Sequence, residues 1–191
     1  MKKNILRRLA MKIFVMSDIH GSSYFLKKAL EAYKKEEAKY ILILGDELYH
    51  GPRNPLPLEY NPKEVADILN NYKDKIIAVR GNCDSEVDQM MLQYPILGDY
   101  STIFFKEKRI FVTHGHVYSE ENLPNICEGD IFMYGHTHLP VAYEKDGIYR
   151  LNPGSISLPK GGNVNSYGIL EDNYFCIKSL DGDIIKEIEI K

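Results

Sequence analysis

Two mixed β-sheets packed face to face, with helices outside, is the fold class this chain predicts, and three observations predict it. The first half alternates short apolar runs with a segment of helical period, the pattern of parallel βαβ units. The second half is a series of strand-like runs separated by tight-turn signals. Nearly every run ends in a polar, glycine-containing cluster, and the carboxyl ends of strands are where α/β sheets hold ligands. At 191 residues, with 44% hydrophobic residues, the chain suits one domain with a real core.

In order, residues 1–10 (MKKNILRRLA) are basic and lack the apolar stretch of a signal peptide, so they are expected to be a mobile extension. The domain then spans 11–191. Ile13–Met16 reads as a strand buried on both faces, followed by Ser17-Asp18-Ile19-His20-Gly21. Asp18 and His20 are two apart, so an extended backbone would point both to one side. Ser22 or Ser23 caps a helix running to about Glu36, on which Phe25, Leu26, Ala29, Leu30 and Tyr33 recur at helical spacing. Tyr40–Leu44 is a second strand, and a right-handed crossover brings Asp46 to the edge that holds Asp18 and His20. Residues 47–61 form a loop broken by Gly51 and three prolines; it carries His50, Arg53 and Asn54. Asn61-Pro62 starts a helix to about Asn70, and Lys75–Val79 is a strand ending in Arg80-Gly81-Asn82-Cys83-Asp84. A helical turn is expected near Val87–Leu92. Beyond Ser101 come strands at Thr102–Phe105, Arg109–Thr113, Ile131–Tyr134, Val141–Lys145, Ile148–Leu151, Ser166–Glu171, Tyr174–Ser179 and Asp183–Ile190. Asp146-Gly147 and Asp181-Gly182 mark hairpin turns.

Composition narrows the function classes. A net charge of −3 with interspersed Lys and Glu argues against a nucleic-acid groove, and disfavours a nuclease. No apolar run is long enough to span a membrane. Three scattered cysteines argue against a disulfide framework and for a reducing, cytoplasmic setting. Cys127 and Cys176 are read as core residues. An assembly of two or four identical chains is compatible with the sequence.

The six histidines, His20, His50, His114, His116, His136 and His138, all follow predicted strands. With Asp18, Asp46 and Asn82, four of them (His20, His114, His136 and His138) supply enough nitrogen and oxygen donors for two divalent ions. A set without thiolates suits manganese, iron, zinc or nickel rather than calcium or copper(I). Asp18-x-His20, Gly45-Asp46, Gly81-Asn82, His114 and Gly135-His136-x-His138, in that order, resemble the motif set of calcineurin-like metallophosphoesterases. The loop 49–57 and the stretch 80–89 are similar to the YfcE-type phosphodiesterases in particular. The likeness runs from Met11 to the C-terminus.

That resemblance implies a four-layer αββα sandwich with two metals at one edge. Asp18, His20 and His138 would hold the first metal, Asn82, His114 and His136 the second, and Asp46 would bridge them. Manganese is the preferred ion. Paired cations neutralise a phosphoryl group, lower the pKa of a bridging water and place the hydroxide in line with the leaving oxygen. The substrate implied is a small phosphodiester. Many members of the superfamily have His after the Asn; here Cys83 stands there, a poorer acid near neutral pH, which tilts the reading to phosphodiesters. Cys83, Asp84 and His50 are the catalytic candidates. Arg53 and His116 are candidates for binding substrate. The rival reading is a scaffold like the phosphoesterase-like subunit of the retromer coat; the complete set of seven ligand positions argues against it.

Overall fold

A computed structural model describes residues 11–191; the expectation for residues 1–10 lies outside the described residues. Among the described residues, eleven strands form two sheets. In the first, β1 (Lys12–Met16), β2 (Tyr40–Ile43) and β3 (Ile76–Ala78) run parallel, with Ile13 opposite Tyr40 and Ile41 opposite Ile76. An antiparallel meander, β9 (Ser166–Glu171), β10 (Tyr174–Ser179) and β11 (Ile184–Glu189), continues it on the other side of β1. The second sheet has the order β4-β5-β6-β8-β7. Its strands are β4 (Tyr100–Phe105), β5 (Lys108–Thr113), β6 (Ile131–Met133), β7 (Pro140–Lys145) and β8 (Ile148–Pro153). Of these, β5, β6 and β8 are mutually parallel.

The period-2 geometry of β1 divides its residues between two cores. Ile13 and Val15 point between the sheets, joining Leu42, Ile110, Val112, Met133, Leu151, Phe175 and Ile177. Phe14 and Met16 point outward, under helices α1 (Ser23–Lys35) and α2 (Pro62–Asn70), against Leu26, Leu30, Tyr33, Val65 and Leu69. That double burial explains the unbroken apolar run. Each helix starts on a side-chain cap: Ser22 Oγ accepts from Phe25 N–H, and Asn61 Oδ1 from Glu64 N–H with Pro62 in the first turn. A third helix, α3 (Glu86–Met91), is held by a capping box between Ser85 and Asp88 and has no buried residue.

The two packed mixed sheets are those expected. The outermost layer over the second sheet differs from the implied helix layer. Residues 114–130 cross it in turns and bends, and Tyr118, Leu123 and Ile126 cover Phe111, Phe132 and Tyr134. This segment lacks a helical apolar period, so side chains rather than a helix close that face. Cys127, expected in the core, is exposed on it. Cys176 is only half-buried, because β10 turns Phe175 and Ile177 inward and Cys176 out. Among the described residues no helix is long and apolar enough to cross a membrane.

Parallel β1, β2 and β3, and parallel β5, β6 and β8, end at one edge of the sandwich. Their following loops are stitched together there. Asp18 N–H donates to Gly45 O (3.1 Å), His20 N–H to Asp46 O (2.9 Å) and Gly135 N–H to His114 O (2.8 Å). Ser155 and Ser157 hydroxyls both donate to Asp18 O at 2.9 Å, tying the loop after β8 to the loop after β1.

Candidate metal centre

Asp18, His20, Asp46, His136 and His138 all sit in the left-handed region, with φ between 48° and 64°. Asp and His enter that region more readily than most residues, yet such backbone is strained and persists only where its surroundings enforce it. The extended backbone expected at Asp18 and His20 is therefore wrong. The two side chains converge because two tight turns aim them, and the hydrogen bonds across the loops hold those turns. Glycine permits the close packing. A Cβ on Gly81 would lie 2.1 Å from Asp46 Oδ1, and one on Gly135 would lie 2.0 Å from Ser17 Oγ.

The donor atoms gather as two groups. In the first, His138 Nε2 is 3.2 Å and His20 Nε2 3.7 Å from Asp18 Oδ1, and the two Nε2 atoms are 3.3 Å apart. In the second, His114 Nε2 is 3.1 Å from Asn82 Oδ1 and 3.2 Å from His136 Nδ1. Asp46 Oδ2 lies between, 3.6 Å from His20 Nε2 and 3.4 Å from His114 Nε2. Its other oxygen accepts from Cys83 N–H at 2.8 Å, which fixes the carboxylate plane.

The tautomers are set from behind. Nδ1–H of His20 donates to Tyr49 O (2.9 Å), that of His114 to Leu44 O (2.6 Å), and that of His138 to Leu158 O. A carbonyl can only accept, so each ring presents Nε2 to the cluster, a donor to a metal once it is deprotonated. Asp18 Oδ1 is buried and makes no hydrogen bond. Facing ring nitrogens and an orphaned carboxylate oxygen in a buried site are what a cation reconciles. Asp18–His20–His138 and Asp18–Asp46–His114 each bring donor atoms within 4.8 Å of one another, so the residues fit a metal.

Electrostatics follow from this crowding. Burial works to raise the Asp18 carboxyl, but the adjacent His138 ring and the charges of His114 and His20 hold it below the usual range. Asp46 is likewise lowered against burial, by its bond to His114. Burial would lower His114, yet its bond to Asp46 raises it to about 9. Burial, then the charge of His114, lowers His136 to about 4. Burial also lowers His20 and His116. The Cys83 thiol is pushed up by burial and by the Asp46 carboxylate.

A cleft of about 490 Å³ opens over the cluster, lined by Asp46, Asn82, Cys83, His136 and His138 and by Gly51–Asn54, Thr137 and Lys160. Cys83 and Arg53 thus reach it. Asp84 is not among the residues that line it. It is 9% exposed and accepts N–H from Asp46 (2.8 Å), Glu47 (2.9 Å) and Gly81 (2.7 Å), which makes it a positioning residue for both ligand loops. His50 packs edge-on against Tyr49 and Tyr60, with ring centroids 4.8 and 5.1 Å away, and is not among the cleft residues. His116 lies edge-on to His114, with ring centroids 5.4 Å apart, and is not among the cleft residues. Two neighbours carried no signal in the sequence. Lys160 lies in a polar turn far along the chain. Glu47, fully buried, accepts from Tyr94 Oη, and burial pushes its carboxyl well up.

Residues 11–173 match the model of the calcineurin-like phosphoesterase superfamily domain. The chain is 48% identical over 181 residues to phosphodiesterase YfcE of Escherichia coli, covering 94% of this chain and 98% of that one. A solved structure of that E. coli phosphoesterase superposes with a TM-score of 0.93 at 47% identity, over 95% of this chain and all of the other. Phosphodiesterase MJ0936 of Methanocaldococcus jannaschii is 29% identical over 152 residues, 75% of this chain and 83% of that protein. Vps29 of Entamoeba histolytica, at 21% identity and a TM-score of 0.63 over 95% of this chain and all of the other, shares the fold.

Proposed function

The chain belongs to the calcineurin-like phosphoesterase superfamily, and on that premise we propose that it hydrolyses small phosphodiesters at a site for two divalent metal ions. It is a phosphodiesterase, a hydrolase of phosphoester bonds. The observation that carries the binuclear reading is Asp46 Oδ2, held between His20 Nε2 (3.6 Å) and His114 Nε2 (3.4 Å). Asp18, His20 and His138 would hold one ion, Asn82, His114 and His136 the other, with Asp46 shared. Bound ions of this kind, manganese first among the candidates, supply Lewis acidity that activates water and neutralises phosphoryl charge.

The chain's own residues do the rest. Asn82 is an uncharged donor, so it leaves the positive charge of the site available to an anionic substrate. Cys83 lines the cleft beside Asn82 and would donate the proton that a leaving oxygen needs. Asp84 fixes the spacing between Asp46 and Asn82 through backbone N–H groups. Arg53 contacts the substrate at the cleft mouth. His116, edge-on to His114 and tilted against His136, keeps the two rings in register, and His50 braces the loop that carries Arg53. The substrate is a small soluble diester of the cytoplasm.

The test combines metal analysis of purified protein with a screen of phosphomonoesters and phosphodiesters in added manganese. About two ions per chain and preferential diester hydrolysis are expected. Asp46→Ala should stay folded, lose metal and lose activity. An Asp46→Ala protein with full activity would overturn the binuclear reading.

A further inference from the structure

The metal-ligand cluster forms the floor of the cleft, and two cations stand at its mouth. They arrive from opposite sides, each on a turn tied to a ligand-bearing segment. Lys160 N–H donates to His138 O at 3.3 Å, and Lys160 O accepts from Asn163 N–H and Nδ2–H at 3.2 and 2.8 Å. Arg53 rides the turn in which Asn54 N–H donates to Gly51 O (3.3 Å) and Asn54 Nδ2–H to His50 O (2.9 Å). That turn rests on the other wall, where a Cβ on Gly51 would meet Cys83 Sγ at 3.0 Å. Both residues line the cleft, and both are exposed.

Neither forms an ion pair with a carboxylate among the described residues, so the charge of each is open to an anion in the cleft. A diester carries one negative charge, which the floor of the cleft takes up. Two further cations, set on pinned turns over a volume of about 490 Å³, leave room and charge for more.

We propose that the preferred substrate is a phosphodiester bearing a second anionic group, which Lys160 and Arg53 receive from the two sides of the cleft. The inference rests on the phosphodiesterase reading above. Arg53 can grip a carboxylate or phosphate through paired N–H groups, while Lys160 acts as a point charge. The scissile phosphoryl group would sit on the cluster and the second anion at the mouth. The pair sets specificity and takes no part in bond breaking.

The experiment uses manganese-loaded protein and three synthetic diesters that share a nitrophenyl leaving group. Their other arms are butyl, carboxypropyl and phosphonopropyl. Values of kcat/KM for the two anionic diesters should exceed that for the butyl ester about tenfold, as expected of charge-assisted contacts. A larger gain for the phosphonate marks phosphate as the natural group, and one for the carboxylate marks a carboxylate. Lys160→Met and Arg53→Met should each shrink the ratio, and the double variant should bring it near one. Raised salt should shrink it too, because both cations face solvent. The ratio is taken within each variant, so it does not depend on how much of a variant folds. If wild-type protein hydrolyses all three diesters equally, or both substitutions slow all three by one factor, the second-anion site is overturned while the phosphodiesterase reading stands. If it hydrolyses none of them, that reading fails as well.

Discussion

Replacing Asp84 by Asn tests how the ligand loops are held. Oδ2 of Asp84 accepts from Asp46 N–H and Gly81 N–H, and Oδ1 accepts from Glu47 N–H. An amide keeps one oxygen acceptor and turns N–H groups toward the third donor. That leaves one buried N–H unpaired, at about 1–3 kcal/mol, and converts the other two bonds from charge-assisted to neutral. Together the change amounts to about 2–4 kcal/mol, which in a chain of this size lowers Tm by roughly 5–15 °C. Because Asp46 and Asn82 lie on the two loops joined here, metal affinity should fall about 10–100-fold. Thermal denaturation of the metal-free protein and calorimetric titration with manganese read both effects. The carboxyl is pushed up to about 6 by burial and by Asp46. The folded wild type takes up this proton below about 6 while the unfolded carboxyl does so only at lower pH, so wild type gains stability relative to the Asn variant and the gap should widen as pH falls from 7.5 toward 5. An Asn variant equal to wild type in Tm and manganese affinity at pH 7.5 would refute the positioning role.

Three more outcomes are expected. Cys83→Ala should slow hydrolysis of alkyl diesters by about 10²-fold, but slow nitrophenyl diesters little; parallel plots of log rate against leaving-group pKa for both proteins would mean the thiol donates no proton. Since His114 is raised to about 9 by Asp46 against the pull of burial, its ring carries a proton at pH 7 that a metal must displace. Manganese uptake should therefore release close to one proton per chain at pH 7, and affinity should climb with pH up to about 9; calorimetry in buffers of different ionisation enthalpy counts the protons, and none released refutes the assignment. Deleting residues 1–10 is expected to leave Tm and activity almost unchanged, because the first strand starts at Lys12, and a large fall in Tm would contradict that.

Much of the fold was legible because burial leaves marks in a linear sequence. β1 reads as a central strand since Phe14 and Met16 feed one core and Ile13 and Val15 the other. The gathering of the polar clusters at one edge was legible because glycine and histidine recur after strands for a steric reason, the approach of Gly81 to Asp46 being the clearest. What stayed hidden depends on tertiary placement. Nothing local separates Asp84, which accepts three backbone N–H groups, from a solvated carboxylate in a turn. Lys160 becomes a cleft residue only when its turn folds back on His138. Residues 114–130 have neither period, so their role as a cover over Phe111 and Phe132 follows from what the sheet leaves bare.

The left-handed backbone at Asp18, His20, Asp46, His136 and His138 also shapes how this chain could drift over evolutionary time. A lineage released from hydrolysis would no longer need donor atoms at those positions, but it would still need residues that tolerate positive φ. Asn and Gly satisfy that demand, whereas Val, Ile and Thr strain against it. Descendants that keep the sandwich and abandon chemistry should therefore show Asn or Gly where the metal ligands were, long after the ions are gone. The vacated positions would keep the imprint of the turn rather than of the reaction.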